Sequence, residues 1–90
     1  MELKDTIKRM QSDDYKERFM AEYYQTKIRH ERLKKFNTAI EAAIVTDGEA
    51  VVVEMPEHDC PVELLREQEK VMGHYLHILE LRAVIEQIDL

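Results

Sequence analysis

The chain has 90 residues, 36% of them charged, with a formal net charge of −6, two glycines, two prolines and no tryptophan. A single domain of this length buries only about 60–65% of its unfolded surface, so a lone core is marginal and association between copies is a common remedy. This composition excludes a turn-rich β fold, a bilayer-spanning run and a disulfide framework, since the one cysteine, Cys60, has no partner within the chain.

The opening MELKDTIKRM lacks the apolar core of a signal peptide, and the expectation is a cytoplasmic protein. Leu3, Ile7 and Met10 recur at i, i+4 and i+7, which predicts a short amphipathic helix over about residues 2–11. Ser12-Asp13-Asp14 then punctuates the chain, and Asp14 with Glu17 has the form of a capping box. The helix it opens is expected over 14–45, a stretch without Gly or Pro. On a 3.6-residue wheel Tyr15, Phe19, Leu33, Ile40 and Ile44 share a face with Thr26, His30 and Asn37, so the stripe is unusually polar. Arg18, Glu22, Gln25, Arg29 and Phe36 form a second line beside it. A polar line bordering a core stripe is more often a buried hydrogen-bond network that fixes register than a ligand site.

Thr46-Asp47-Gly48 ends this helix, with Asp-Gly as the turn signal. Residues 50–55, rich in β-branched side chains, are expected to be extended. With no sheet of its own, the segment either pairs with the same segment of another copy or lies as an arm on the helices. Asp59 or Cys60 as N-cap, with Pro61 in the first helical position, opens a second long helix over 61–87. Its apolar face is broad: Leu64, Val71, Ile78 and Ile85 make one seven-residue line, and Leu65, Met72 and Leu79 the next. Two such lines need more cover than one partner helix supplies. Gly73 inside the helix costs about 1 kcal/mol relative to Ala, which points to close approach of another helix. The fold class is therefore all-α, in one domain over 1–90. Two long antiparallel helices form a hairpin with a short N-terminal helix and an extended piece in the connector, and the hairpin assembles as a homo-oligomer.

Charge divides unevenly. Residues 1–45 hold ten basic and eight acidic side chains (+2), whereas residues 46–90 hold three basic and eleven acidic (−8). Seven Lys/Arg, and three of the four tyrosines, fall within residues 15–36. A local anion site on an acidic body is compatible with this pattern; general DNA binding, which needs an extended basic surface, is not. No Gly-rich phosphate loop, no G-x-S-x-G and no C-x-x-C is present, so catalysis is not expected. His74 and His77 with Glu80 do not make a zincin or di-iron pattern, Asp47-Gly48-Glu49 is not a calcium loop, and Cys60 has no histidine placed as its base. No metal and no cofactor are implied.

Guanidinium groups fork onto phosphate and phenol rings stack on bases. The candidate ligand-binding residues are thus Tyr15, Arg18, Gln25 and Arg29 on the first long helix, with Gln68, Tyr75 and Arg82 on one face of the second. The alternative use of the same polar groups is structural. Gln25 and Gln68 would bond across the hairpin, and Arg18, Arg29 and Arg82 would pair with Glu22, Glu69 and Glu86.

DYKERF at 14–19, AEY with Gln25 following, Arg29 and Leu33, then Cys60-Pro61, Leu64-Leu65, Gln68, Met72, Tyr75, Leu79 and Arg82 form a set of motifs. With these the chain resembles a family of small phage and prophage proteins that takes its name from an open reading frame of a crAss-like gut phage. The connector EAVVVEMPEHD is longer and more β-like than the short polar loop of that family. The resemblance implies a helical-hairpin accessory protein acting in the host cytoplasm, of a kind that often counters host immunity.

Two classes of function follow. One is a binding module that captures a small anionic ligand, such as a cyclic nucleotide or an NAD-derived signal. The other is an acidic blocker of a host defence protein, in which Asp47, Glu49, Glu54, Glu57, Asp59, Glu63 and Glu67 mimic a phosphate backbone and occupy a basic groove, in the manner of an anti-CRISPR protein. A structural oligomer without ligand is the third possibility.

Overall fold

The computed structural model describes residues 1–90. A 3₁₀ turn over Leu3–Thr6 runs directly into α1 (Ile7–Met10). The long helices are α2 (Tyr15–Val45) and α3 (Val62–Glu86), and there is no strand. Contacts between Tyr15 and Glu86, Tyr23 and Glu80, and Asn37 and Glu69 run in opposite senses along the two helices, so they pack antiparallel. The hairpin is a rod of 54 × 25 × 21 Å.

Asp14 caps α2 as expected, accepting the Lys16 N–H at 3.0 Å. The reciprocal half of the box does not form. Ser12 Oγ accepts the Asp14 N–H instead, and Glu17 pairs with Arg9 at 3.2 Å, tying α1 to α2. At α3 the N-cap is Pro61 rather than Asp59 or Cys60: with ψ of 143° it stands outside the helix, and its carbonyl accepts from Leu64 and Leu65. Gln87 ends α3 in the left-handed region (φ 58°), costing about 1–2 kcal/mol for a residue with a Cβ. This bend lets Ile88 N–H reach the Ala83 carbonyl at 2.8 Å and turns the Ile88 side chain into the core.

Only 11 of 90 residues are buried, and the main apolar cluster sits toward one end. Phe19 and Tyr23 of α2 meet Leu76, Leu79 and Ala83 of α3 with Ile88, bordered by Met20, Tyr24 and Leu90. On α3 the half-buried and buried positions are Val62, Leu65, Glu69, Met72, Leu76, Leu79, Ala83 and Glu86, with Gly73 half-buried beside Met72. Gly73 apart, they alternate by three and four, the spacing of a two-helix seam. The neighbouring line of Leu64, Val71, Ile78 and Ile85 stays exposed. Gly73 has the expected close approach: a Cβ there would lie 3.3 Å from the His30 Nε2 of α2.

Residues 50–55 form no strand, and Val51, Val52, Val53 and Met55 are exposed. The segment is an arm. Val53 N–H donates to Thr46 Oγ1 at 3.2 Å, and Val52, Val53 and Met55 line a groove with Ala43 and Ile44. Farther along, the His58 ring stands edge-on to Phe36. No helix is long and apolar enough to cross a membrane.

Candidate functional site

Polar side chains of α2 and α3 meet at both ends of the hairpin. At the open end, Arg82 donates to the Tyr15 hydroxyl at 2.7 Å and to Glu86 at 3.0 Å, while the Tyr15 hydroxyl donates to Glu86 at 2.8 Å. The Arg82 guanidinium also lies over the Phe19 ring, 5.1 Å from its centre. The hydrogen bonds to Glu86 raise the pKa of both Tyr15 and Arg82, and the bond from Tyr15, followed by that from Arg82, lowers that of Glu86. Every member has a partner, so the cluster is a closed clamp.

Of the seven candidate ligand-binding residues, the structure brings together only Tyr15 and Arg82. Gln25 donates to Thr6 Oγ1 at 2.9 Å and to Met10 Sδ, pinning the N-terminal segment to α2. Arg18 donates to the Ser12 carbonyl at 2.8 Å and braces the turn before α2. Arg29 is exposed on α2, and Gln68 and Tyr75 are exposed on α3. The cross-hairpin pairing of Gln25 with Gln68 does not form; among the three arginine–glutamate pairs, only Arg82–Glu86 does. All seven carboxylates of the acidic set are exposed.

Toward the connector the arrangement is different. Lys34, Asn37, Thr38 and Glu41 stand at i, i+3, i+4 and i+7 on α2, facing Arg66, Glu69 and Lys70 at i, i+3 and i+4 on α3. Together they line an open groove of about 360 Å³ with no apolar side chain. Its floor is Asn37, which is 5% exposed. Asn37 Nδ2 donates to the Leu65 carbonyl at 3.1 Å and to Glu69 Oε1 at 2.9 Å. Both partners accept only, which fixes the amide orientation. That leaves Asn37 Oδ1 buried without a hydrogen-bond partner. A buried unpaired acceptor costs about 1–3 kcal/mol, and the Asn37 side chain belongs to the lining of the groove.

The cations of the acidic half are placed with the same economy. Residues 46–90 contain only Arg66, Lys70 and Arg82 as bases; two line the groove and the third holds the clamp. The line Arg18, Glu22, Gln25, Arg29 and Phe36 makes no buried network across the hairpin, since Arg18 and Gln25 bond to the N-terminal segment and Arg29 is exposed. The polar residue of the neighbouring stripe that does bond across to α3 is Asn37. Sequence reasoning did not assemble the groove. Its signal, Lys34–Asn37–Thr38–Glu41 opposite Arg66–Glu69–Lys70, becomes visible only when Asn37 is in register with Leu65 and Glu69.

The chain belongs to the Sequestin family, which it matches over residues 13–85. The match contains both walls of the groove and all of the connector. It concerns that family alone and carries nothing about a phage or prophage origin. No curated protein and no solved structure matches the chain.

Proposed function

We propose that this member of the Sequestin family is a non-enzymatic binding protein that captures and sequesters a small anionic nucleotide signal in the groove between α2 and α3. The carrying observation is the buried, unpaired Asn37 Oδ1 beneath Lys34, Arg66 and Lys70. Ammonium and guanidinium groups take phosphate oxygens, while the amide oxygen takes an N–H of a base. A volume of about 360 Å³ lies at the small end of the range for small-molecule sites. The family name fits a sequestering role. In a cell under phage attack, removal of such a signal would counter host immunity.

The test is a thermal-melt series against cyclic dinucleotides, cyclic oligonucleotides and ADP-ribose derivatives. A ligand present at about 100 times its dissociation constant adds roughly 2.7 kcal/mol and raises Tm by several degrees. A hit that Lys34→Ala and Arg66→Ala abolish, and Tyr15→Phe leaves intact, supports the groove. A hit lost only in Tyr15→Phe moves the ligand to the open end, and a flat panel overturns nucleotide capture.

A second reading rests on the seven carboxylates from Asp47 to Glu67, none of which has an ion-pair partner within the chain. This free acidic surface suits the basic groove of a host defence protein. Capture of that protein would weaken steeply with salt; a complex indifferent to ionic strength counts against mimicry.

A further inference from the structure

The outer line of α3 is apolar, regular and uncovered. Leu64, Val71, Ile78 and Ile85 are 59%, 56%, 40% and 78% exposed, although each repeats at the interval of a helix-pairing seam. Gln68, Tyr75 and Arg82 fall between them, giving alternating steps of four and three from Leu64 to Ile85. The inner seam of the same helix is occupied by α2. α3 thus carries two parallel seams, of which the hairpin uses one.

We propose that this outer seam docks on the same seam of a second copy, antiparallel about a two-fold axis that passes between His74 and Tyr75. The apolar positions of the stripe map onto one another when reversed. Leu64 and Ile85 lie equally far from that midpoint, as do Val71 and Ile78, so apolar meets apolar at these four positions, while Gln68 falls opposite Leu81 and Tyr75 opposite His74. Glu67 and Arg82 are also equidistant from it, so reversal sets a carboxylate of each copy against a guanidinium of the other. Parallel pairing would stack Arg82 on Arg82 and Glu67 on Glu67. Residue i meeting j while j meets i is the rule of a two-fold interface, and nothing would impose this self-complementarity on a face meant for a foreign helix. The seam is about 32 Å long at 1.5 Å per residue, three heptads, and fits within the 54 Å rod. It also addresses the thin core, with only 11 residues buried in the single chain. Arg66 is about 200° around α3 from Leu64, so docking leaves the groove open and the two proposals stand apart.

Light scattering coupled to gel filtration at tens of micromolar should give twice the 10.7 kDa chain mass. Ile78→Glu should give the monomer mass with an unchanged helical circular dichroism spectrum. Register is read by oxidative cross-linking in a Cys60→Ser background. Tyr75→Cys, beside the axis, should form a disulfide-linked dimer; Leu64→Cys alone should not, while its mixture with Ile85→Cys should. A wild-type monomer overturns the proposal, as does a dimer that survives Ile78→Glu. Self-cross-linking of Leu64→Cys would establish parallel pairing and overturn the two-fold axis.

Discussion

The two ends of the hairpin solve opposite problems. At the open end, Phe19, Tyr23, Leu76, Leu79, Ala83 and Ile88 form a dry cluster, and the polar groups above it, Tyr15, Arg82 and Glu86, satisfy one another. Toward the connector, the floor between the helices is Asn37, with an acceptor left unpaired among three cations and two carboxylates. Interiors normally pair such groups, and unpaired ones concentrate where something else must bind. The open end therefore carries the packed core, and the connector end carries the unpaired acceptor on which the proposed function rests.

The comparison breaks most visibly at Leu79, which is fully buried at the open end. Leu79→Ala should cost about 2–5 kcal/mol in urea unfolding. A loss below about 1 kcal/mol would show that the open end is not where the stability resides.

Asn37→Leu sharpens the contrast at the other end. It removes the orphaned acceptor along with the two Nδ2 bonds, so stability should shift by only about 1 kcal/mol. Nucleotide affinity by calorimetry should fall at least tenfold, about 1.4 kcal/mol. Undiminished affinity would remove Asn37 from the site.

Tyr23 separates the ends by pH. Burial, then its hydrogen bond to Glu80 at 2.7 Å, pushes the phenol up to about 12 from an ordinary value of 10. The folded state holds the proton more tightly, so this contribution is complete below pH 10 and is lost as pH rises toward 12. Tyr23→Phe should cost about 1 kcal/mol at pH 7 and lessen the fall in stability between pH 10 and 12. A wild-type stability curve flat across that window would contradict the assignment.

The smallest effect is expected at Gly73, between the two ends. Gly73→Ala gains about 1 kcal/mol of helix propensity but places a methyl 3.3 Å from the His30 Nε2, so Tm should move by only a few degrees. A loss of several kcal/mol would show that the His30 ring cannot yield.

Much of the fold was legible because it rests on local chemistry. The apolar periodicity of Leu65, Met72 and Leu79, the Asp14 cap, the Asp47-Gly48 break and Pro61 placed both long helices to within a residue or two. The candidate site was less legible. Tyr15 and Arg82 have the chemistry of ligand groups, yet they bond to each other and to Glu86, the structural alternative for Arg82; Gln25 has it too, yet it anchors Thr6. A single polar side chain looks the same in sequence whether its partner is a ligand or a residue 70 positions away. Lys34, Arg66 and Lys70 carried no distinguishing pattern, since basic residues on helix surfaces are ordinary.

By itself the sequence determined that there are two long helices, that they must pair, and that α3 has more apolar face than one partner covers. These follow from residue spacing and capping, which act over a few residues. Only the tertiary structure decided which of the two α3 lines turns inward and which remains exposed. It also decided which polar residues find partners. Both depend on the antiparallel register of α2 against α3, which brings Asn37 over Leu65 and Glu69 and leaves its buried Oδ1 without a hydrogen-bond partner.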